Sequence, residues 1–422
     1  MTARAFLNLR LSFVAIRSLH GAVLACTAGA IGASVFALGA CTSSPIARAD
    51  TEAVARYRDA GYPIASERAL QTYRIRGPSS EMTWTASLTR PADSVRHPII
   101  IYLPGLGQAD DESNQWVSAW AKAGYAVIVI QALSDDAQVW STAEARSGDF
   151  ERAAKARFAP ELMADRITRL SGLLGQIRAR SVHGEAGLEN LDWSDVALAG
   201  ADLGAYTVQT IAVTPADRLA QISWPITPLA YLIISPYAVR NTPSSQLAVA
   251  THAPVLMISS ADDIDADGII TDTSLRRLAF DRLGNGNDYY FELASATHRW
   301  LGGAITPPAA TEPAHRPAGS LAGTERRAKQ RGGGSGARDA VAPDSEEDDT
   351  LPDKNAHTPA ARAEAAKARS RAMTQEALSE VSFHAVTAAF LDAYVRGQIP
   401  ARAWVENTAA KWLQNGDRLK HR

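Results

Sequence analysis

The sequence predicts an α/β domain built on a mostly parallel sheet with helices on both faces. Two observations predict it. Short, nearly continuous apolar runs recur at 97–103, 125–130, 196–199, 229–234, 254–259 and 289–293, the pattern of strands buried on both faces. Helical stretches fall between them, so that crossover helices can cover the sheet. The 422 residues are 46% hydrophobic and 21% charged, enough apolar mass for a core of that size.

The elements follow in order. Trp84, Ala86 and Leu88 alternate as in a half-buried strand. A helix is expected near 113–123. Pro160 suits the first turn of another helix, and Met163, Ile167, Leu170, Leu174 and Ile177 then step by four and three along one apolar face. The composition breaks after Ile305. Residues 306–375 carry Pro-Pro, Arg-Gly-Gly-Gly-Ser-Gly, an acidic run at 346–349 and an Ala/Arg-rich stretch, with few large apolar side chains. Such a stretch buries too little to offset its ordering, and is expected to be a disordered insertion with a solvated helix near 359–377. Phe383, Val386, Phe390 and Tyr394 restore a helical stripe, and Trp404 and Trp412 can pack nearby. Residues 376–422 therefore read as the helical end of the domain that occupies 61–305.

The N-terminus reads as an export signal over 1–40, followed by a tether over 41–60. Arg4, Arg10 and Arg17 precede an uncharged small and apolar run, which ends Leu38-Gly39-Ala40-Cys41. These four residues resemble the lipobox of bacterial lipoproteins. The resemblance implies lipidation of Cys41, and a membrane-anchored, exported protein of the cell envelope, facing the periplasm or sorted to the outer membrane. A transmembrane anchor is the alternative, but no basic stop-transfer flank follows the run. The only other cysteine is Cys26, so the mature domain can hold neither an internal disulfide nor a cysteine metal cluster. A net charge of −2 gives no support to nucleic-acid binding. The expected partner besides the membrane is a small molecule.

The strongest chemical signal is the run Val196-Ala197-Leu198-Ala199 followed by Gly200-Ala201-Asp202-Leu203-Gly204. A buried strand turns through G-x-D-x-G into a helix. In a nucleophile elbow the chain turns so sharply that the residues two before and two after the nucleophile must be small, as Gly200 and Gly204 are. The alternative is an ordinary turn with an N-capping aspartate. Two more pieces lie at the ends of later strands. Asp263 follows the 254–259 run, and His298 follows the 289–293 run. Nucleophile, acid, histidine is the order of the α/β-hydrolases. Leu203 N–H, with Leu106 or Gly107 N–H from the loop after 97–103, would form the oxyanion hole.

The loop 104–108, the elbow 200–205, the segment 257–263, the Ala296-Thr297-His298 turn and the ending 389–394 resemble the dienelactone-hydrolase and platelet-activating-factor-acetylhydrolase-like branch of the α/β-hydrolases. The resemblance covers roughly 80–303 and 380–410. It implies an α/β-hydrolase fold and hydrolysis of esters or lactones without a cofactor or metal. Asp202 stands where that branch has serine, and Pro104 where histidine is common. Three uses of the site follow: hydrolysis of an ester, lactone or related bond through Asp202, Asp263 and His298; haloalkane- or epoxide-type hydrolysis with an aspartyl nucleophile; or a catalytically inactive binding protein. No large cap is expected, because only 238–253 lie between the two strands that would flank it. The run Asp263-Ile264-Asp265-Ala266-Asp267-Gly268 looks like the start of a calcium loop, but its twelfth position is Ser274 rather than a bidentate glutamate. An acidic loop carrying Asp263 is the preferred reading.

Overall fold

Alternation of side chains along the central strands decides the architecture. In β3 (His97–Leu103), Ile99, Ile101 and Leu103 point to one face of the sheet and Ile100 and Tyr102 to the other. Both sets are apolar, so both faces must be covered. The computed structural model describes residues 48–64, 68–77, 83–109, 114–238, 253–281, 283, 287–304 and 358–422. Among them a nine-stranded sheet runs in the order β1-β2-β4-β3-β5-β6-β7-β8-β9. The other strands are β1 (Leu70–Arg74), β2 (Trp84–Pro91), β4 (Ala126–Ala132), β5 (Leu191–Ala201), β6 (Ala230–Ile234), β7 (Val255–Ser260), β8 (Tyr289–Leu293) and β9 (Arg418–His421). The central strands β4, β3, β5, β6, β7 and β8 are parallel. β2 is antiparallel to both neighbours, and β9 is antiparallel to β8. The protein is thus α/β with a mostly parallel sheet.

One face is covered by the helices Pro160–Val182, Leu203–Val213 and Ser274–Asp281. The long helix presents Met163, Ile167, Leu170, Leu174 and Ile177 to this core. The other face carries Thr51–Asp59, Gln115–Lys122, Pro359–Tyr394 and Ile399–Asn407. Trp116 stacks on Phe383 at 3.8 Å, which fastens the C-terminal helix onto the domain.

Four expectations are corrected. The tether drawn over 41–60 is not one throughout. Thr51–Asp59 is a helix capped by Asp50, and Tyr57 stacks on Trp412 at 4.4 Å and bonds Ser382 Oγ at 2.9 Å. The solvated helix expected near 359–377 is present, but the boundary drawn at 375 is not. One helix runs Pro359–Tyr394, capped by Thr358, so no boundary exists at 375. Its first half is largely exposed because its sequence is Ala/Arg-rich. The C-terminal segment is not helical to its end. Arg418–His421 adds an edge strand whose polar sequence carries no apolar alternation. Finally, β2 is not half-buried. Ser87, Thr89 and Arg90 are buried along with Ala86 and Leu88, because the strand lies inside the sheet and the helix Gln115–Lys122 packs beside it. The signal over 1–40, the lipid site Cys41, and residues 305–357 of the insertion lie outside the described residues, as do 239–252, on which the expectation of no large cap rests. Among the described residues, no helix is long and apolar enough to cross a membrane.

The C-terminal helix makes stability depend on pH. His384 lies edge-on to Trp116 at 5.5 Å, and its Nε2 is buried without a hydrogen-bond partner among the described residues. Burial, helped by the charges of Arg58 and Lys122, pushes its pKa down to about 4. The neutral ring is the folded form, so its stabilising share is complete above the unfolded value of ~6.5 and is lost as pH falls toward about 4. His384→Leu is expected to flatten the denaturation midpoint across this window. The wild-type loss attributable to the ring should approach about 1.4 kcal/mol per pH unit. Parallel profiles for the two proteins would show that His384 is not responsible.

Candidate active site

The sheet brings its chemistry to the C-terminal edges of β3, β5, β6, β7 and β8. β5 ends at Ala201, and Asp202 takes φ 52° and ψ −113° before the helix Leu203–Val213 begins. A non-glycine residue there is strained by about 1–3 kcal/mol, a cost borne where surrounding structure enforces it. The enforcement is visible. A Cβ on Gly200 would lie 2.5 Å from the Gly204 carbonyl, and one on Gly204 would overlap the Leu103 carbonyl oxygen. Only glycines let this helix start so close to β3. Asp202 N–H donates to Ile234 O at 3.0 Å, which pins the turn to the end of β6.

Asp263 follows β7 and is fully buried. It accepts from Ser235 Oγ at 3.0 Å and Ser259 Oγ at 2.8 Å, and Arg276 Nε lies 3.4 Å from its Oδ2. His298 opens the one-turn helix His298–Leu301 after β8, capped by Thr297. Its Nδ1 is 2.7 Å from Asp263 Oδ1, and its Nε2 is 3.7 Å from Asp202 Oδ1. Asp202, Asp263 and His298, 96 positions apart in sequence at the extremes, therefore meet in one place. Burial works to lower the pKa of His298, but the hydrogen bond to Asp263 and the charges of Asp202 and Asp263 outweigh it, so the net shift is upward.

The loop after β3 is held by Gln131, whose Nε2 donates to Gly105 O at 2.9 Å and Gln108 O at 2.8 Å. Leu106 N–H points at Asp202 Oδ2 at 3.0 Å. Gly107 does not serve as the oxyanion donor. Its N–H donates to Asp135 O at 2.8 Å, because the loop turns there at φ 77°. Leu203 N–H lies in the first turn of the elbow helix, where intrahelical acceptors are lacking.

Residues the sequence did not single out complete the surroundings. Arg276, 1% exposed, donates through Nη1 to Ser235 O and Pro236 O at 3.1 Å each and places Nη2 3.2 Å from His298 Nδ1. Asp265, 6% exposed, reaches Asp202 and His298, with one ligand-type atom from each residue within 4.8 Å of the others. Burial first, then the charge of Asp202, raises its pKa. Asp267 is pushed up to about 6 by burial and by Asp265 and Asp202. The available signal was the D-x-D-x-D-G run, which showed acidity but not the direction of any side chain. A cavity of about 230 Å³ opens beside the loop, lined by Trp84, Asp135, Arg157 and Arg166 among others, but not by Asp202, Asp263 or His298. Among the described residues, Asp202, Asp263 and His298 converge at the strand ends rather than in that cavity. Compared with known proteins, the chain matches no family model, and no curated protein sequence is significantly similar to it.

Proposed function

We propose that the protein is an α/β-hydrolase that uses Asp202 as a nucleophile toward a carbon bearing a leaving group, as haloalkane- and epoxide-type hydrolases do. The observation that carries this reading is the hydrogen bond from Leu106 N–H to Asp202 Oδ2 at 3.0 Å. In a serine enzyme that donor is free for the substrate's oxyanion. Here the aspartate's own oxygen holds it, which disfavours an ester carbonyl as the electrophile. Attack by carboxylate on an ester would also yield a mixed anhydride, a costlier intermediate than an acyl-serine.

The arrangement suits two displacements. Asp202 Oδ1 forms a bond to the substrate carbon while the leaving group departs with its electron pair. Oδ2 becomes the ester carbonyl oxygen, already on Leu106 N–H. His298 Nε2, oriented by Asp263, then takes a proton from water as the water oxygen bonds to Asp202 Cγ. Leu106 N–H, with Leu203 N–H as the expected second donor, stabilises the resulting oxyanion. Collapse releases the alcohol, which takes the proton from His298. Loss of the Asp202 charge in the ester lowers the imidazole's pKa when a base is needed.

In His298→Ala the first displacement should proceed and the second should stall. Intact mass after exposure to haloalkanes and epoxides is expected to show one adduct on Asp202, with turnover down about 10³-fold. Asp202→Asn should show no adduct. Turnover of p-nitrophenyl esters or lactones without any adduct would favour the ester reading. An inert wild type with no adduct in His298→Ala would leave a binding protein. The export signal and the lipid anchor at Cys41 belong to the same proposal, supported by Leu38-Gly39-Ala40-Cys41 and checked by the mass of the mature N-terminus.

A further inference from the structure

We infer that Asp202, Asp265 and His298 also form a binding site for one divalent transition-metal ion of the zinc class. Each offers a ligand atom, and the three atoms lie within 4.8 Å of one another. The His298 Nε2 to Asp202 Oδ1 separation is 3.7 Å. Ligands at about 2.1 Å from a tetrahedral ion stand about 3.4 Å apart. Side-chain rotations of roughly 1 Å would therefore close the set.

The independent observation is Asp265. It is 6% exposed, and one of its oxygens accepts the Asp267 N–H at 2.7 Å. Among the described residues its other oxygen accepts no hydrogen bond, and no lysine or arginine forms an ion pair with it. Asp202 Oδ1 is in a similar position. It belongs to a residue 8% exposed, and His298 Nε2 lies 3.7 Å away, beyond hydrogen-bond reach. Two carboxylates of largely buried residues thus face one imidazole, and buried charges are paired or coordinate metals. The supports around the ligands fit as well. Asp263 holds His298 Nδ1 at 2.7 Å, the carboxylate–histidine arrangement that orients the other ring nitrogen toward a metal. Leu106 N–H holds Asp202 Oδ2, leaving Oδ1 for the ion. One imidazole and two carboxylates suit zinc or manganese better than calcium, which takes six to eight oxygens. Three protein ligands leave a fourth position open.

The ion would occupy the lone pairs of Asp202 Oδ1 and His298 Nε2 together. Metal binding and the alkyl-enzyme therefore exclude each other, and the metal acts as a reversible inhibitor. That consequence rests on the proposed aspartyl reaction; the binding site itself does not.

The test titrates the purified, chelator-treated full chain with Zn²⁺ by calorimetry, and with Co²⁺ by visible absorption as a readout of nitrogen and oxygen coordination. One ion per chain is expected. Asp265→Asn, nearly isosteric, should weaken binding at least tenfold, and His298→Ala likewise, while Asp267→Asn should stay within threefold. Circular dichroism checks that the variants fold. Absence of stoichiometric binding below millimolar Zn²⁺, or binding unchanged in Asp265→Asn, overturns the site. The metal-free His298→Ala adduct reports on the covalent reaction separately. An adduct without metal binding rejects only the metal site, and metal binding without an adduct rejects only the nucleophile.

Discussion

Gly204→Ala is expected to abolish folding of the domain. The new methyl group would overlap the carbonyl oxygen of Leu103 and lie 2.7 Å from that of Pro104. These are backbone atoms. Leu103 is paired with Gly200 at the end of β3, in the middle of a parallel sheet, so it cannot swing aside as a side chain would. Overpacking against movable side chains typically costs about 1–3 kcal/mol. Against fixed backbone the loss should exceed about 4 kcal/mol, a large part of a domain's usual margin of roughly 5–15 kcal/mol. Soluble yield and the denaturant midpoint are the measurements. Gly172→Ala and Gly175→Ala are the controls. Both glycines lie inside the helix Pro160–Val182, and an added Cβ meets nothing within 4 Å. Each should be neutral or stabilising by up to about 1 kcal/mol. A Gly204→Ala midpoint near the wild-type value would mean that the elbow helix does not approach β3 this closely.

Arg276→Met should cost about 3–5 kcal/mol and disorder the histidine. Arg276 is the cation beside the fully buried Asp263, and it also satisfies the carbonyls of Ser235 and Pro236. Methionine fills the volume but leaves a buried carboxylate without its cation and two acceptors without donors. Asp263 would keep only its serine hydroxyls and His298. Arg276→Lys retains the charge but not the fork of donors, and should recover less than half of the loss. The second arm is a double variant. Adding Asp263→Asn removes the charge that Arg276→Met strands, so the two losses should fall short of additive by about 1–3 kcal/mol. Strict additivity in denaturant unfolding would show that the pair is not coupled.

Some of this architecture was legible because its causes are local. The central strands announced themselves because residues buried on both faces are mostly apolar, as in 126–130 and 197–201. The elbow was legible because the sharp turn brings Gly200 against Gly204 within five residues, although the demand on Gly204 itself comes from the Leu103 carbonyl of β3. The chain order Asp202, Asp263, His298 could be read because each follows a recognisable strand. Edge elements were not legible. Arg74 and Gln71 in β1, and Arg418 and Lys420 in β9, meet water on the sheet's margin, so they carry no apolar pattern. The N-terminal helix was missed because what holds Tyr57 is Trp412, 355 positions away.

The sequence by itself determined the kind of layers this chain could form, the sharp turn at Asp202, and the presence of an acid and a histidine to follow it. Only the tertiary structure decided which N–H meets Asp202. Gly107 and Leu106 are neighbours in one loop, and the Asp135 carbonyl, not any feature of either residue, diverts Gly107. It also decided that Asp265 turns toward Asp202 and His298 while Arg276 lies behind Asp263. Electrostatic roles depend on distances across loops from different strands, and those distances exist only once the sheet has set its order.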